Sequence, residues 1–88
     1  MAEVAMTFSV LPENSEDDVD ILAQDIRKVL NGKCRVVNID KKELACGLKS
    51  LQLVVIVKDE GGQQDMVEDA VRTIKGIGQI DIEDSSLV

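Results

Sequence analysis

The 88-residue chain contains no histidine, tryptophan or tyrosine, and it has one phenylalanine, one proline and two cysteines. Histidine is a common general base and metal ligand in enzymes, so its absence removes the usual components of nucleophilic and metal-assisted catalysis. Because Phe8 is the only aromatic residue, the chain offers no row of rings on which unstacked nucleic-acid bases could lie. We therefore expect neither an enzyme nor a direct nucleic-acid binder, and we expect no metal or other cofactor.

Long apolar segments are also missing. No run of about eighteen apolar residues could cross a membrane, and no charged and then apolar leader ends in a cleavage site. Cys34 and Cys46 lie 12 positions apart, a spacing that matches neither a zinc knuckle nor a redox pair. These absences predict a cytoplasmic protein without membrane contact and with two free thiols.

The composition that is present is typical of a globular domain. Hydrophobic residues make up 44% of the chain and charged residues 31%, and the formal net charge is −7. A chain of this length buries about 60% of its unfolded surface on folding, which suffices for one modest core, so we expect a single domain over residues 1–88. The 10 basic residues are scattered among 17 acidic ones, so phosphate backbones would be repelled and a basic partner would be attracted.

Apolar periodicity divides the chain into six elements. Alternation with a period of two predicts strands at residues 3–11, 33–42, 48–58 and 79–83. Apolar stripes at helical spacing predict two helices: the first opens with a capping box at Ser15 and Asp18 and ends at Asn31–Gly32, and the second runs through Met66–Ile74 and is closed by Gly76 and Gly78. A turn is expected at residues 44–47.

The same patterns assign faces. The inward residues of the strands are expected to be Val4, Met6, Phe8, Val10, Val37, Ile39, Leu51, Leu53, Val55, Val57, Ile80 and Ile82, and the first helix should bury Val19, Leu22, Ile26, Val29 and Leu30. Four apolar residues are expected on the opposite, open face of the sheet: Ala5, Val36, Val54 and Ile56. A monomer rarely leaves such a patch bare, so we expect this face to contact a partner or to allow weak self-association.

The order strand, helix, strand, strand, helix, strand joins two strand-helix-strand units through a hairpin. With right-handed crossovers, this order gives an α+β fold of the ferredoxin-like split βαβ type, in which a four-stranded antiparallel sheet carries both helices on one face. A fold does not determine a function. From the residues alone, we infer a binding module with an unnamed partner.

Two further functions are known on this fold. A small acyl-phosphate hydrolase would need an arginine near the first turn, where Pro12, Glu13 and Asn14 stand instead. A ligand-binding regulatory module similar to the ACT domains, which bind amino acids between paired copies, would have a glycine-rich loop after the first strand, and that loop is missing. The regulatory module remains the main alternative function.

The stretch from Cys46 to Asp59 resembles the glycine-led, lysine-bearing central strand of the translation elongation factor one-beta exchange domain. Residues 65–68 are similar to the start of that family's second helix, and the strand ending at Pro12–Glu13 is similar to archaeal members. The resemblance covers the full 88 residues, which is the length of the archaeal form. It implies a guanine-nucleotide exchange factor of protein biosynthesis, whose partner is the GTPase elongation factor one-alpha and which performs no covalent chemistry of its own.

The resemblance also implies where the GTPase binds. The expected partner-binding residues are Cys46, Gly47, Leu48 and Lys49 around the turn, and Asp84, Ser85, Ser86, Leu87 and Val88 at the chain end. Two departures from the family pattern concern these segments. Cys46 stands where the family usually has an aromatic residue, and Leu87 stands where eukaryotic members have a lysine that enters the magnesium site. A displacing positive charge would have to come from elsewhere, for example Lys49; alternatively, residues 84–88 could be a frayed tail.

Overall fold

The structure is a computed structural model and describes residues 2–14, 18–43 and 49–88. Its elements follow the predicted order. The strands are β1 (Glu3–Pro12), β2 (Arg35–Glu43), β3 (Lys49–Lys58) and β4 (Ile77–Leu87), and the helices are α1 (Val19–Leu30) and α2 (Gln63–Arg72). The predicted turn at residues 44–47 lies outside the described residues.

The four strands form one antiparallel sheet with the order β2-β3-β1-β4. Both central strands therefore lie side by side, and the two edges are β2 and β4. The two helices pack on one face of this sheet and contact each other. The predicted ferredoxin-like fold is confirmed.

The core lies between the helices and one face of the sheet. Alternate residues of β1 and β3 supply its floor, and the helices supply its roof through stripes at the predicted positions. The fully buried side chains are Phe8, Val10, Ile26, Leu30, Leu51, Leu53, Val55, Val67 and Val71. The strands supply five of these nine residues, and each helix supplies two.

Helix α1 follows the predicted stripe but begins with a different cap. The N-cap is Asp18, whose carboxylate accepts a hydrogen bond from the backbone N–H of Asp20 at 2.9 Å. The prediction of a capping box opening at Ser15 is therefore wrong, although Ser15 itself lies outside the described residues. At the other end the prediction is confirmed: Asn31 is the C-cap and Gly32 takes the left-handed conformation at φ +83°.

Gly78 was predicted to close α2, but it lies inside β4, so this prediction is wrong. A Cβ atom at this position would lie 2.8 Å from the carbonyl oxygen of Pro12, so the close approach of β1 and β4 requires glycine here. Strand β4 begins at Ile77, two residues earlier than predicted, and runs on to Leu87.

Candidate partner-binding site

Lys49 is the first residue of β3 and is exposed to solvent. Its register partner on β2 is Glu43, but the two side chains form no salt bridge in the described parts of the chain. The lysine amine is therefore available to an external group. Cys46, Gly47 and Leu48, the other residues predicted around this turn, lie outside the described residues.

The chain end is part of the sheet. Asp84, Ser85, Ser86 and Leu87 pair with β1, where Leu87 stands opposite Val4, and the backbone N–H of Val88 donates a hydrogen bond to Glu3 O at 3.0 Å. The frayed tail left open as an alternative is therefore wrong. Without these five residues, central strand β1 would expose a row of unpaired backbone N–H and C=O groups. The chain end forms hydrogen bonds with these groups.

Two apolar side chains are exposed on this ordered segment. Leu87 is 69% exposed and Val88 is 74% exposed, although the backbone of both is hydrogen-bonded or paired with β1. Exposed leucine and valine side chains on a fixed backbone can enter an apolar pocket with little loss of conformational entropy. The side chains of Asp84, Ser85 and Ser86 are exposed as well, and the segment carries no cation.

The structure does not bring the two predicted segments together. Val4 pairs with Val57 of β3 on one side and with Leu87 of β4 on the other, so the chain end lies at the level of Val57. Lys49 precedes Val57 by 8 positions, which corresponds to about 26 Å along the strand. Lys49 therefore lies too far along the sheet to place its charge at the chain end, and any charge that it supplies acts at a different place.

Three of the four predicted open-face residues do lie on the open face. Ala5 pairs with Ile56, and Val54 pairs with Thr7, so they stand side by side on the two central strands. Ile56 is outside the core cluster between sheet and helices. It is nevertheless only 9% exposed, and the patch is therefore smaller than the sequence suggested.

Val36 is the exception, and its assignment to the open face is wrong. It pairs with Val55 and packs against the core. A register shift between Val36 and Asn38 leaves Val37 as an extra residue, which is 52% exposed instead of buried as predicted. Such a bulge interrupts the alternation of side chains along the strand. Arg35 consequently stands beside Ile56 on the open face.

One further group of residues was missed by sequence reasoning. Lys33, Arg35 and Lys58 line a single surface cavity, whereas the sequence suggested that the basic residues are scattered. The hairpin could have revealed part of this group, because the start of β2 and the end of β3 must meet in an antiparallel pair.

The described residues contain no group of three or more potential metal ligands. Cys34 is a free thiol, and burial raises its pKa above the ordinary value, which disfavours the reactive thiolate. Among the described residues, no helix is both long and apolar enough to span a membrane.

Comparison with known proteins identifies the family. The EF-1 guanine nucleotide exchange domain matches residues 5–88. The chain belongs to this family. Elongation factor 1-beta of Thermoplasma volcanium is 38% identical over 88 residues and covers 100% of both chains. Elongation factor 1-beta of Thermoplasma acidophilum is 31% identical with the same coverage, and that of Natronomonas pharaonis is 32% identical over 96% of each chain.

Solved structures confirm the fold of this exchange-family chain. The crystal structure of the ACT domain from GTP pyrophosphokinase of Chlorobium tepidum superposes with a TM-score of 0.65 at 12% identity and covers 92% of this chain and 99% of that one. The solution structure of the same domain gives 0.64 at 13% identity, with 92% and 86% coverage. Identity this low shows a shared fold only. Family membership supports an EF-1 guanine nucleotide exchange role and implies a GTPase elongation factor as partner.

Proposed function

We propose that this chain promotes GDP release from, and GTP loading on, translation elongation factor one-alpha during protein synthesis. The observation that carries this proposal is the family match over residues 5–88, which includes both Lys49 and the chain end. Exchange of this kind needs no covalent step. It requires only that the factor bind the nucleotide-free GTPase more tightly than the GDP-bound form.

The coupling is reciprocal. If the factor lowers the affinity of the GTPase for GDP, then GDP lowers the affinity of the GTPase for the factor by the same ratio. Released GDP is then replaced by GTP from solution, and the factor dissociates. The lack of histidine in the chain and of a metal-ligand group in its described residues is consistent with such a binding mechanism.

We infer two separate contact regions, and the geometry of the sheet supports their separation. We assign one to Lys49 and the preceding residues 46–48, and the other to residues 84–88. Because about 26 Å of strand separates Lys49 from the level of Leu87, one GTPase molecule must present two distinct surfaces to the factor. Leu87 and Val88 supply apolar contacts at one region, and Lys49 supplies a charge at the other.

The charge of the chain supports association with a basic surface. A net charge of −7 raises the rate of encounter with a positively charged partner, and salt lowers that rate. The cytoplasm, where translation factors act, is the compartment we assign to this chain.

Release of a fluorescent GDP analogue from elongation factor one-alpha of the same organism tests the proposal. The wild-type protein at a catalytic ratio should accelerate release strongly. Leu87→Ser should reduce the acceleration about tenfold, since truncation of a central apolar contact costs more than about 1 kcal/mol of binding. Ile21→Ser is the matched control because Ile21 is 55% exposed on α1, away from both regions, and it should exchange like wild type.

Absence of acceleration by the wild-type protein would overturn the exchange function and favour the ligand-binding regulatory alternative. Equal losses in Leu87→Ser and Ile21→Ser would instead contradict the assignment of the chain end as a contact region. Lys49→Ala tests the other region: it should reduce the acceleration of GDP release, because it removes the charge assigned to that contact region.

A further inference from the structure

Three basic side chains converge at one end of the sheet. Lys33, Arg35 and Lys58 line a surface cavity of about 440 Å³, called the end cavity below. The antiparallel register brings them together, because Arg35 at the start of β2 pairs with Ile56, two residues before Lys58. Glu3 and Glu60 also line this cavity. Cations thus outnumber carboxylates here, although the chain as a whole carries a net charge of −7.

These cations, Lys33, Arg35 and Lys58, form no ion pairs with the acidic residues that the structure describes, in residues 2–14, 18–43 and 49–88. All three residues are exposed, so their charged groups are available to an anion in the cavity.

The remaining lining is mostly apolar. Ile56, Val57, Met66 and Cys34 also line the cavity, and burial raises the pKa of the Cys34 thiol, so this side chain is uncharged at neutral pH and does not oppose an anion. Gln63, the first residue of α2, contributes an amide and the positive end of the helix dipole. The combination of an apolar floor and a few convergent polar groups is typical of small-molecule sites.

We propose that the end cavity binds a small organic phosphate. The planar guanidinium of Arg35 is suited to bidentate bonds with phosphate oxygens, and Lys33 and Lys58 add point charges. The apolar part of the ligand packs on Met66, which is only partly buried. Phosphate binding goes beyond the exchange function proposed above, and none of residues 46–49 or 84–88 lines the cavity, although Glu3 of the lining accepts a hydrogen bond from Val88.

The test is a titration of the isotope-labelled full chain, followed by the shifts of its backbone amide signals. Inorganic phosphate and butyl phosphate are the two probes, and sodium chloride at matched ionic strength is the control. Both phosphates should shift the amides of residues 33–35 and 56–63 and leave α1 residues 19–27 unchanged. Butyl phosphate should bind at least about tenfold more tightly than inorganic phosphate, because each buried methylene adds about 0.8 kcal/mol.

Single substitutions sharpen the result. Arg35→Ala should weaken binding of both phosphates about tenfold, because it removes charge-assisted hydrogen bonds. Glu60→Gln should strengthen it, because it removes an opposing charge. Arg27→Ala is the matched control, since Arg27 is an exposed arginine on α1 outside the cavity, and it should bind like wild type. The amide spectrum of each variant shows directly whether it is folded.

Three results would overturn the proposal. Shifts that chloride reproduces would mean general ionic screening, and unchanged affinity in Arg35→Ala would place the anion elsewhere. Equal affinities for the two probes would contradict a site for an organic phosphate. They would mean that the cavity recognises the phosphate group alone.

Discussion

The two faces of the sheet differ sharply, although neighbouring residues of the same strands supply them. On the helix face, Phe8 of β1 and Leu53 of β3 are both 0% exposed and pair with each other. On the open face, their chain neighbours Thr7 and Val54 also pair with each other, but both are only half-buried. A period of two thus separates residues that stabilise the fold from residues that remain available to a partner.

This difference shows what the open face is suited for. Antiparallel sheets commonly bury one face and leave the other in contact with water, with polar residues on the wet side. Here Ala5, Val54 and Ile56 lie together in the middle of that side, and burial against the helices does not explain them. We propose that these three residues contact a partner or a second copy of the chain.

The largest effect is expected on the helix face. Phe8→Ala should lower the free energy of unfolding by about 3–5 kcal/mol, because it removes a fully buried ring and leaves a cavity between the sheet and the helices. Urea denaturation followed by circular dichroism measures the loss as a fall in the transition midpoint at an unchanged slope.

The control is the neighbouring residue on the same strand. Thr7→Ala should cost less than about 1 kcal/mol, since its side chain is half-buried on the open face. Similar losses in Phe8→Ala and Thr7→Ala would contradict the separation of the two faces.

Ile56→Lys should reduce stability less than Phe8→Ala does, and its main effect should be on association. The lysine stem can cover much of the surface that isoleucine covered while its amine reaches water, so the loss should be about 1–2 kcal/mol. Association through the open face should be weakened, because a charge then lies in the apolar contact. Sedimentation velocity of the variant, alone and mixed with elongation factor one-alpha, measures this.

Ile21→Lys places the same charge on α1, on the other side of the sheet, and should sediment like wild type. If Ile56→Lys also leaves the sedimentation of both samples unchanged, the open face is not an interface with either molecule.

The fold was largely predictable because its signals are local. Alternation identified β1 and β3, helical stripes identified the buried faces of α1 and α2, and the C-terminal cap of α1 was placed at Gly32, one of the glycines with a positive φ. The length of β4 was missed because Asp84, Ser85 and Ser86 are polar and do not alternate. They are in the strand because their backbone pairs with distant β1, a contact that no local pattern encodes.

The candidate site was less predictable, since its geometry depends on register. The sequence named Lys49 and residues 84–88 but could not show that they lie at opposite ends of the sheet. It also could not show that Lys33, Arg35 and Lys58 meet in one cavity. A single extra residue in β2 was enough to exchange the faces of Val36 and Val37.

The exchanged faces of Val36 and Val37 allow a direct test of the bulge, with the smallest of the expected effects. Val36→Ala should lower the free energy of unfolding by about 1 kcal/mol, because Val36 packs against the core. Val37→Ala should change it by less than about 0.5 kcal/mol, because this side chain is 52% exposed. Both variants lose the same two methyl groups, so urea midpoints compare them directly. A larger loss in Val37→Ala would contradict the bulge. It would mean that side chains alternate strictly along β2 and that Val36 lies on the open face beside Val54 and Ile56.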